Sequence, residues 1–366
     1  MNRYINNFKF ANNVFYYVDL KKVFNDYPIL EKLPNCLKIL LETNIRKLDD
    51  NLVDEIINIF IGRNNRRQIQ FTPSRVLIQD LTAIPIIIDL ATLRDEANSI
   101  GKNPNKINPL IMVDIIIDHS LNIDKSATYD SLDVNLKNEV QKNNERYELI
   151  KWASTHFENI SVVPPGFGIC HQINLEFLST MISVEKIEDD IFIFPETIVG
   201  TDLHTSMINS LGVLAWEVGG IEAECIMFGS NSSLNLPTVT GVELIGEIDS
   251  AVTINDVVLS FTNFINSKEN HGEFIEFYGE GVKSLSLEDR ASISNMANEY
   301  NVAVSFFAVD DNTITYIEKT RGVDASLIKE YFNLQGMFNS TENLEYDEVL
   351  QFDLSEVKPI ISGPNR

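Results

Sequence analysis

The chain reads as an α/β protein built on mostly parallel sheets, and three observations lead there. Apolar runs of strand length alternate with stretches of helical period through most of the 366 residues. The run 110–117 is continuously apolar except for Asp114, the pattern of a strand buried on both faces of a sheet. Three apolar runs each lead into a polar turn that carries a histidine, which puts chemistry outside the carboxyl ends of strands, where open α/β sheets bind ligands.

Taken in order, Leu37, Leu40, Leu41, Ile45 and Leu48 recur at helical spacing after Pro34, which suits a first turn, and a second helix covers 52–60. Residues 68–79 read as two short strands broken near Pro73. The run 84–88 reads as another buried strand, followed by a helix through Leu93 and Ala97 that stops at Gly101. Strand 110–117 runs into Asp118-His119-Ser120, strand 160–163 into Pro164-Pro165-Gly166-Phe167-Gly168 and then His171, and strand 191–194 precedes Val199-Gly200-Thr201-Asp202-Leu203-His204. A helix follows Gly219-Gly220 over 221–228, and the Ser- and Asn-rich stretch 229–237 is the expected domain boundary. Beyond it come strands near 241–245, 274–277 and 303–307, with helices over 255–265 and 287–300, the latter capped by Ser286. A helix over 327–334 ends before Gly336, and 349–354 is strand-like. The expected domains are 1–237 and 238–335.

Charge narrows the function. With 29 Lys and Arg against 53 Asp and Glu, the net charge of −24 argues against a protein that grips nucleic-acid backbones. The same charge gives no long-range attraction to an anion, so a polycarboxylate would depend on local donors. The N-terminal Met1-Asn2-Arg3-Tyr4-Ile5-Asn6-Asn7 has no apolar signal core, and the apolar runs fall short of the roughly 20 residues of a membrane helix, so a cytoplasmic protein without membrane attachment is expected. Cys36, Cys170 and Cys225 show no CxxC spacing and read as structural thiols, with Cys170 singled out because it precedes His171.

There are five histidines, and His119, His171 and His204 stand in turns beside Asp118 and Asp202. A carboxylate on one ring nitrogen fixes the imidazole tautomer and raises its basicity, so such pairs suit proton transfer to a leaving hydroxyl. His119, His171 and His204 together also suit one divalent Zn, Fe or Mn ion.

Several long motifs, in order along the chain, resemble the aconitase family and its cytosolic type most closely. They are Lys38-Ile39-Leu40-Leu41-Glu42, Arg75-Val76-Leu77-Ile78-Gln79-Asp80, Lys106-Ile107-Asn108-Pro109, Asp118-His119-Ser120, Pro164-Pro165-Gly166, His171-Gln172-Ile173-Asn174-Leu175-Glu176 and Gly219-Gly220-Ile221-Glu222-Ala223-Glu224. Phe274-Ile275-Glu276-Phe277 with Gly279 and Gly281, Asp289-Arg290-Ala291 and residues 295–300 continue the likeness. The resemblance implies three-layer α/β/α domains and a hydro-lyase or isomerase acting on a citrate-like polycarboxylate, with a [4Fe-4S] cluster as Lewis acid. It implies Gln79, Ser120 and Asn295 as substrate-binding residues, and three imidazole–carboxylate sets: Asp118 with His119, His171 with Asp202, and His204 with Glu299.

The departures matter. Leu203 stands where the family has a serine, and the sequence given ends at Ser362-Gly363-Pro364-Asn365-Arg366, a point resembling the start of the family's third domain, before its cluster cysteines. Residues 336–366 are thus expected to be a remnant of that domain packed on the other two, and no [4Fe-4S] cluster is expected on this chain. Two classes of function follow. One is an enzyme, either a cluster-free dehydratase or isomerase or a subunit whose partner supplies cysteines and arginines. The other is a non-catalytic protein that senses a polycarboxylate or regulates a partner.

Overall fold

The computed structural model describes residues 2–118, 122–230, 232–268, 271–340 and 343–361, and these form an α/β protein with two all-parallel sheets at its centre. The first has five strands in the order Leu214–Glu217, Thr197–Gly200, Arg75–Gln79, Met112–Ile116 and Ile160–Val163. Val76, Leu77, Ile78, Val113, Ile115, Ile116, Ile198 and Val199 are buried, so the central strands lose water on both faces, as the unbroken apolar runs require. Gln79 pairs opposite Ile116 and Leu77 opposite Gly200, which sets the carboxyl ends of three strands along one edge.

The second parallel sheet has the order Val304–Phe307, Phe274–Tyr278, Val239–Ile245 and Glu348–Asp353. Its alternation divides two cores. Phe274, Val304 and Phe306 join the large core of the N-terminal half, while Ile275, Phe277 and Phe307 face a smaller core with Val242, Phe261 and Leu354. The larger core therefore crosses the expected boundary at 237, and strand Glu348–Asp353, from the segment expected as a remnant, lies within the second sheet. A buried carboxylate pins the halves together. Glu276 Oε1 accepts from Asn35 N at 3.1 Å and Asn35 Nδ2 at 2.9 Å, and Oε2 accepts from Cys36 N at 2.9 Å, so it caps the positive end of helix Asn35–Arg46.

Several expectations are corrected. The run 84–88 lies inside helix Asp80–Ser99 rather than in a strand: Ala83, Ile86, Ile87 and Leu90 are buried at helical spacing while Ile88 is exposed, and Pro85 gives up only its own N–H. Strand Asp190–Pro195 belongs to a mixed sheet with Ile5–Phe10, Asn13–Val18 and Ile182–Ile187, so the strand that delivers the His204 turn is Thr197–Gly200. Within 229–237 the strand Ser232–Asn235 pairs antiparallel with Gln68–Phe71. Ser286 does cap its helix through a reciprocal bond with Asp289, but the helix stops at Ser294 and a separate turn Asn298–Tyr300 follows. Among the described residues no helix is long and apolar enough to cross a membrane.

Candidate active site

The site collects at the carboxyl edge of the first parallel sheet. Its foundation is Arg75, at the start of the central strand and almost fully buried. Its guanidinium donates to Glu196 Oε1 at 2.8 Å, Asp114 Oδ2 at 2.7 Å and Asn174 Oδ1 at 2.6 Å. One buried cation thus ties two strands to the helical segment that bears His171, and each charge is offset by a partner, as burial demands. The sequence reading treated Asp114 as an interruption and did not single out Glu196 or Asn174 for support. Two acidic residues in apolar surroundings, with an arginine at a strand start, were the signal.

From that base each functional side chain is set in place. Gln79, last in its strand, donates from Nε2 to Asp118 Oδ2 at 3.0 Å. His171 stands in the short helix Cys170–Ile173, which continues as a π-helical turn over Asn174–Leu178. The turn after Thr197–Gly200 is held tightly: Thr201 N donates to Leu77 O at 3.0 Å, and Thr205 returns to Asp202 O through its hydroxyl at 2.6 Å. A Cβ at Gly200 would collide with the Thr205 side chain, so glycine permits the return.

Asp202 and His171 then meet, with His171 Nδ1 2.9 Å from Asp202 Oδ2. The His204 ring lies edge-on to His171, 4.7 Å between centroids. Burial, the largest single influence, acts to raise the Asp202 carboxyl, but the hydrogen bond and charge of His171 together with the backbone N–H and charge of His204 outweigh it and hold the group below its usual value. Asp202 is therefore a carboxylate that orients the His171 ring. The neighbouring Cys170 is the reverse case: burial first, then Asp202 and Asp118, push its thiol up, so it stays protonated. His204 Nδ1 is buried with no hydrogen-bond partner among the described residues.

The second half of the chain closes one side. Ser206 Oγ donates to Ser294 O at 3.0 Å, and Asn298 Nδ2 donates to Leu203 O at 3.1 Å. Asn295 comes to this seam at the end of its helix, its Oδ1 buried and without a partner among the described residues. Glu299 is not brought to His204. It is exposed, no hydrogen bond or ion pair joins the two, and it is Asn298 that reaches the His204 turn. The structure thus gathers Gln79, Asp118, Cys170, His171, Asp202 and His204, with Asn295 at the seam. His119 and Ser120 lie outside the described residues.

An iron–sulfur cluster takes several thiolates at one point. Cys36 is buried beside Glu276, Cys225 is exposed on helix Gly220–Met227, and Cys170 is buried in the site. Among the described residues the group able to offer three ligand atoms together is Asp118, Cys170 and Asp202, within 4.8 Å of one another, and it contains one thiol. The described residues therefore do not fit such a cluster.

Parallel strands ending in an oriented imidazole–carboxylate pair and a second imidazole define an α/β protein with a candidate acid–base site. Residues 48–366 match the model of the aconitase family (aconitate hydratase). The chain belongs to the aconitase family. Over its full length it is 42% identical to aconitate hydratase A of Streptococcus mutans, of which it covers 42%. With 96% of the chain aligned it is 43% identical to aconitate hydratase A of Legionella pneumophila, covering 40% of that protein. With the same share aligned it is 41% identical to that of Staphylococcus aureus. The chain spans less than half the length of these relatives.

Proposed function

We propose that this chain supplies one wall of a cytoplasmic hydro-lyase or isomerase site that removes water from a citrate-like polycarboxylate and returns it, by imidazole–carboxylate chemistry. The observation that carries this reading is the His171–Asp202 bond of 2.9 Å with His204 packed against His171. With Nδ1 bound to Asp202, the other nitrogen of His171 is left to take or give a proton at the substrate. Asp118, steadied by Gln79, is the second carboxylate, and His119 and Ser120 join it through the family resemblance. Asn295 Oδ1, without a partner among the described residues, offers an acceptor to a substrate hydroxyl. Glu299 keeps a role only if the seam closes further on substrate.

A single Zn, Fe or Mn ion would find its ligands in Asp118, Cys170 and Asp202, the described residues whose ligand atoms lie within 4.8 Å of one another, with His171 orienting Asp202 from outside. The relatives extend far beyond the matched region, and we assign the remaining substrate donors and cluster ligands to that part, on the same polypeptide or on a partner subunit. The test is the interconversion of citrate and aconitate, followed by the ultraviolet absorbance of the unsaturated acid, with and without a polypeptide spanning the unmatched part of a relative. Turnover that His171→Ala leaves intact contradicts the reading. Leu203 and the single thiol favour a second reading, a polycarboxylate sensor without turnover. Citrate binding that depends on His171, with no turnover in either preparation, would select it.

A further inference from the structure

We infer that Arg321 is a positioning residue: by gripping the far end of the helical run that carries His171, it lets the second half of the chain set the His171–Asp202 contact. This rests on the acid–base reading of His171 proposed above. Arg321 is the last residue of helix Asp311–Arg321, and its guanidinium donates to three main-chain carbonyls of one stretch. Nη2 bonds Leu175 O at 2.8 Å, Nε bonds Glu176 O at 3.0 Å, and Nη1 bonds Ser179 O. Those carbonyls close the run that starts as helix Cys170–Ile173 and continues as the π-helical turn Asn174–Leu178. The last carbonyls of a helix have no partner within it, and a cation there meets the negative end of the helix dipole. A planar fork of fixed donors serves three of them at once, which the compact ammonium of a lysine on its flexible stem does not.

The grip has a counterpart in the first half. Glu196 Oε2 accepts from Ser179 Oγ at 2.5 Å, Thr180 N at 2.8 Å and Met181 N at 2.9 Å, while Arg75 holds Asn174 Oδ1 at 2.6 Å. The run is thus fixed to the first sheet by one set of contacts and to the second half by Arg321. Helix Asp311–Arg321 is itself anchored: its N-cap Asp310 accepts from the buried Arg290, and Ile314 and Ile317 lie in the larger core. Asn174 is about one helical turn beyond His171, so a shift at the carbonyl end of the run moves the imidazole. Asp202 does not follow, because its own turn is closed separately by Thr205. A hydrogen bond of 2.9 Å tolerates little such displacement.

The test follows the imidazole protons of the whole chain by nuclear magnetic resonance with isotope-labelled histidine. A carboxylate only accepts, so His171 Nδ1 carries the proton of the pair, and exchange of that proton with water reports how often the pair opens. Arg321→Ala should speed the exchange about tenfold, the scale set by one charge-assisted hydrogen bond. Arg321→Lys, with the charge but not the fork, should fall between Arg321→Ala and the parent. Lys329→Ala removes an exposed pair with Asp311 at the other end of the same helix and should leave the rate as it is in the parent. A rate in either Arg321 variant equal to the parent's, or a rise as large in Lys329→Ala, overturns the inference, while loss of the slow proton in Asp202→Asn upholds the pair. A parent without a slowly exchanging Nδ1 proton, or one that Asp202→Asn leaves in place, overturns the acid–base reading as well.

Discussion

The carboxyl edge of the first parallel sheet gathers Gln79, Asp118, His171, Asp202 and His204, while the same edge of the second sheet opens on a cavity of about 720 Å³ lined by Glu243, Glu280, Lys283, Asp310 and Asp311. Topology alone would rank the two equally as ligand sites. They differ in what their polar atoms are already doing. Around the second cavity, Asp310 accepts from Arg290 at 2.7 Å, Lys283 pairs with Glu280 at 2.9 Å, Lys329 with Asp311 at 2.7 Å, and Gln351 donates to Glu243 at 2.9 Å. At the first edge His204 Nδ1 and Asn295 Oδ1 have no hydrogen-bond partner among the described residues, and His171 is bonded through Nδ1 to Asp202. Strand ends locate a cavity; unspent hydrogen-bonding capacity makes it a site.

The comparison can be broken in order of effect. Wherever turnover is observed, His171→Ala should lower kcat by about 10² to 10⁴, the contribution of one acid–base group, with the fold intact by circular dichroism. Next comes Glu276→Gln, which replaces the carboxylate under helix Asn35–Arg46 by an amide facing four donors, Asn35 N and Nδ2, Cys36 N and the Tyr346 hydroxyl. Chemical denaturation should show a loss of about 3 kcal/mol, within the range for breaking a buried charged contact. An unchanged midpoint would mean that Glu276 does not hold the halves together.

Glu42 provides a contrasting buried carboxylate. It is fully buried, both its oxygens lack a hydrogen bond among the described residues, and Arg46 Nε stands 4.0 Å away. Burial raises its carboxyl from 4.5 to about 7, against the pull of Arg46 and Lys47. A folded-state value above the unfolded one favours folding at low pH, so this contribution is lost as pH rises from 4.5 to about 7. At about 1.4 kcal/mol per unit the loss is roughly 3 to 4 kcal/mol. Glu42→Gln should flatten that slope, and an unaltered slope would place the titration elsewhere. Asp202 works the other way: its carboxyl is lowered below 3.8, so its contribution holds above that value and is lost as pH falls through the folded one. The smallest effect belongs to Lys283→Ala at the second cavity, which removes an exposed pair and should change neither turnover nor melting.

Much of this was legible in the sequence, for identifiable reasons. The run ending at Ile117 carried a two-sided burial signal, and Asp118 follows it at the edge of the sheet. The pairing of His171 with Asp202 came from the family resemblance, and their contact is there. Isoleucines 84, 86, 87 and 88 misled because β-branched residues suit strands, while their burial followed a helical period instead. The strand Thr197–Gly200 escaped notice because it is four residues long and begins two residues after another strand ends. The Arg75 network and the Asn298 contact with Leu203 join residues far apart in sequence; isolated charges in apolar runs mark members of the network, but no local pattern announces which of them meet.

The most direct test of the difference between the two edges is a titration of the chain with citrate, followed by nuclear magnetic resonance of the imidazole nitrogens of its five histidines and of the Lys283 side chain. The account predicts saturable shifts at His171 and His204, abolished for both by Asp202→Asn, with Lys283 at the second cavity unmoved. Shifts confined to Lys283, or imidazoles that stay still at saturating citrate, would contradict it.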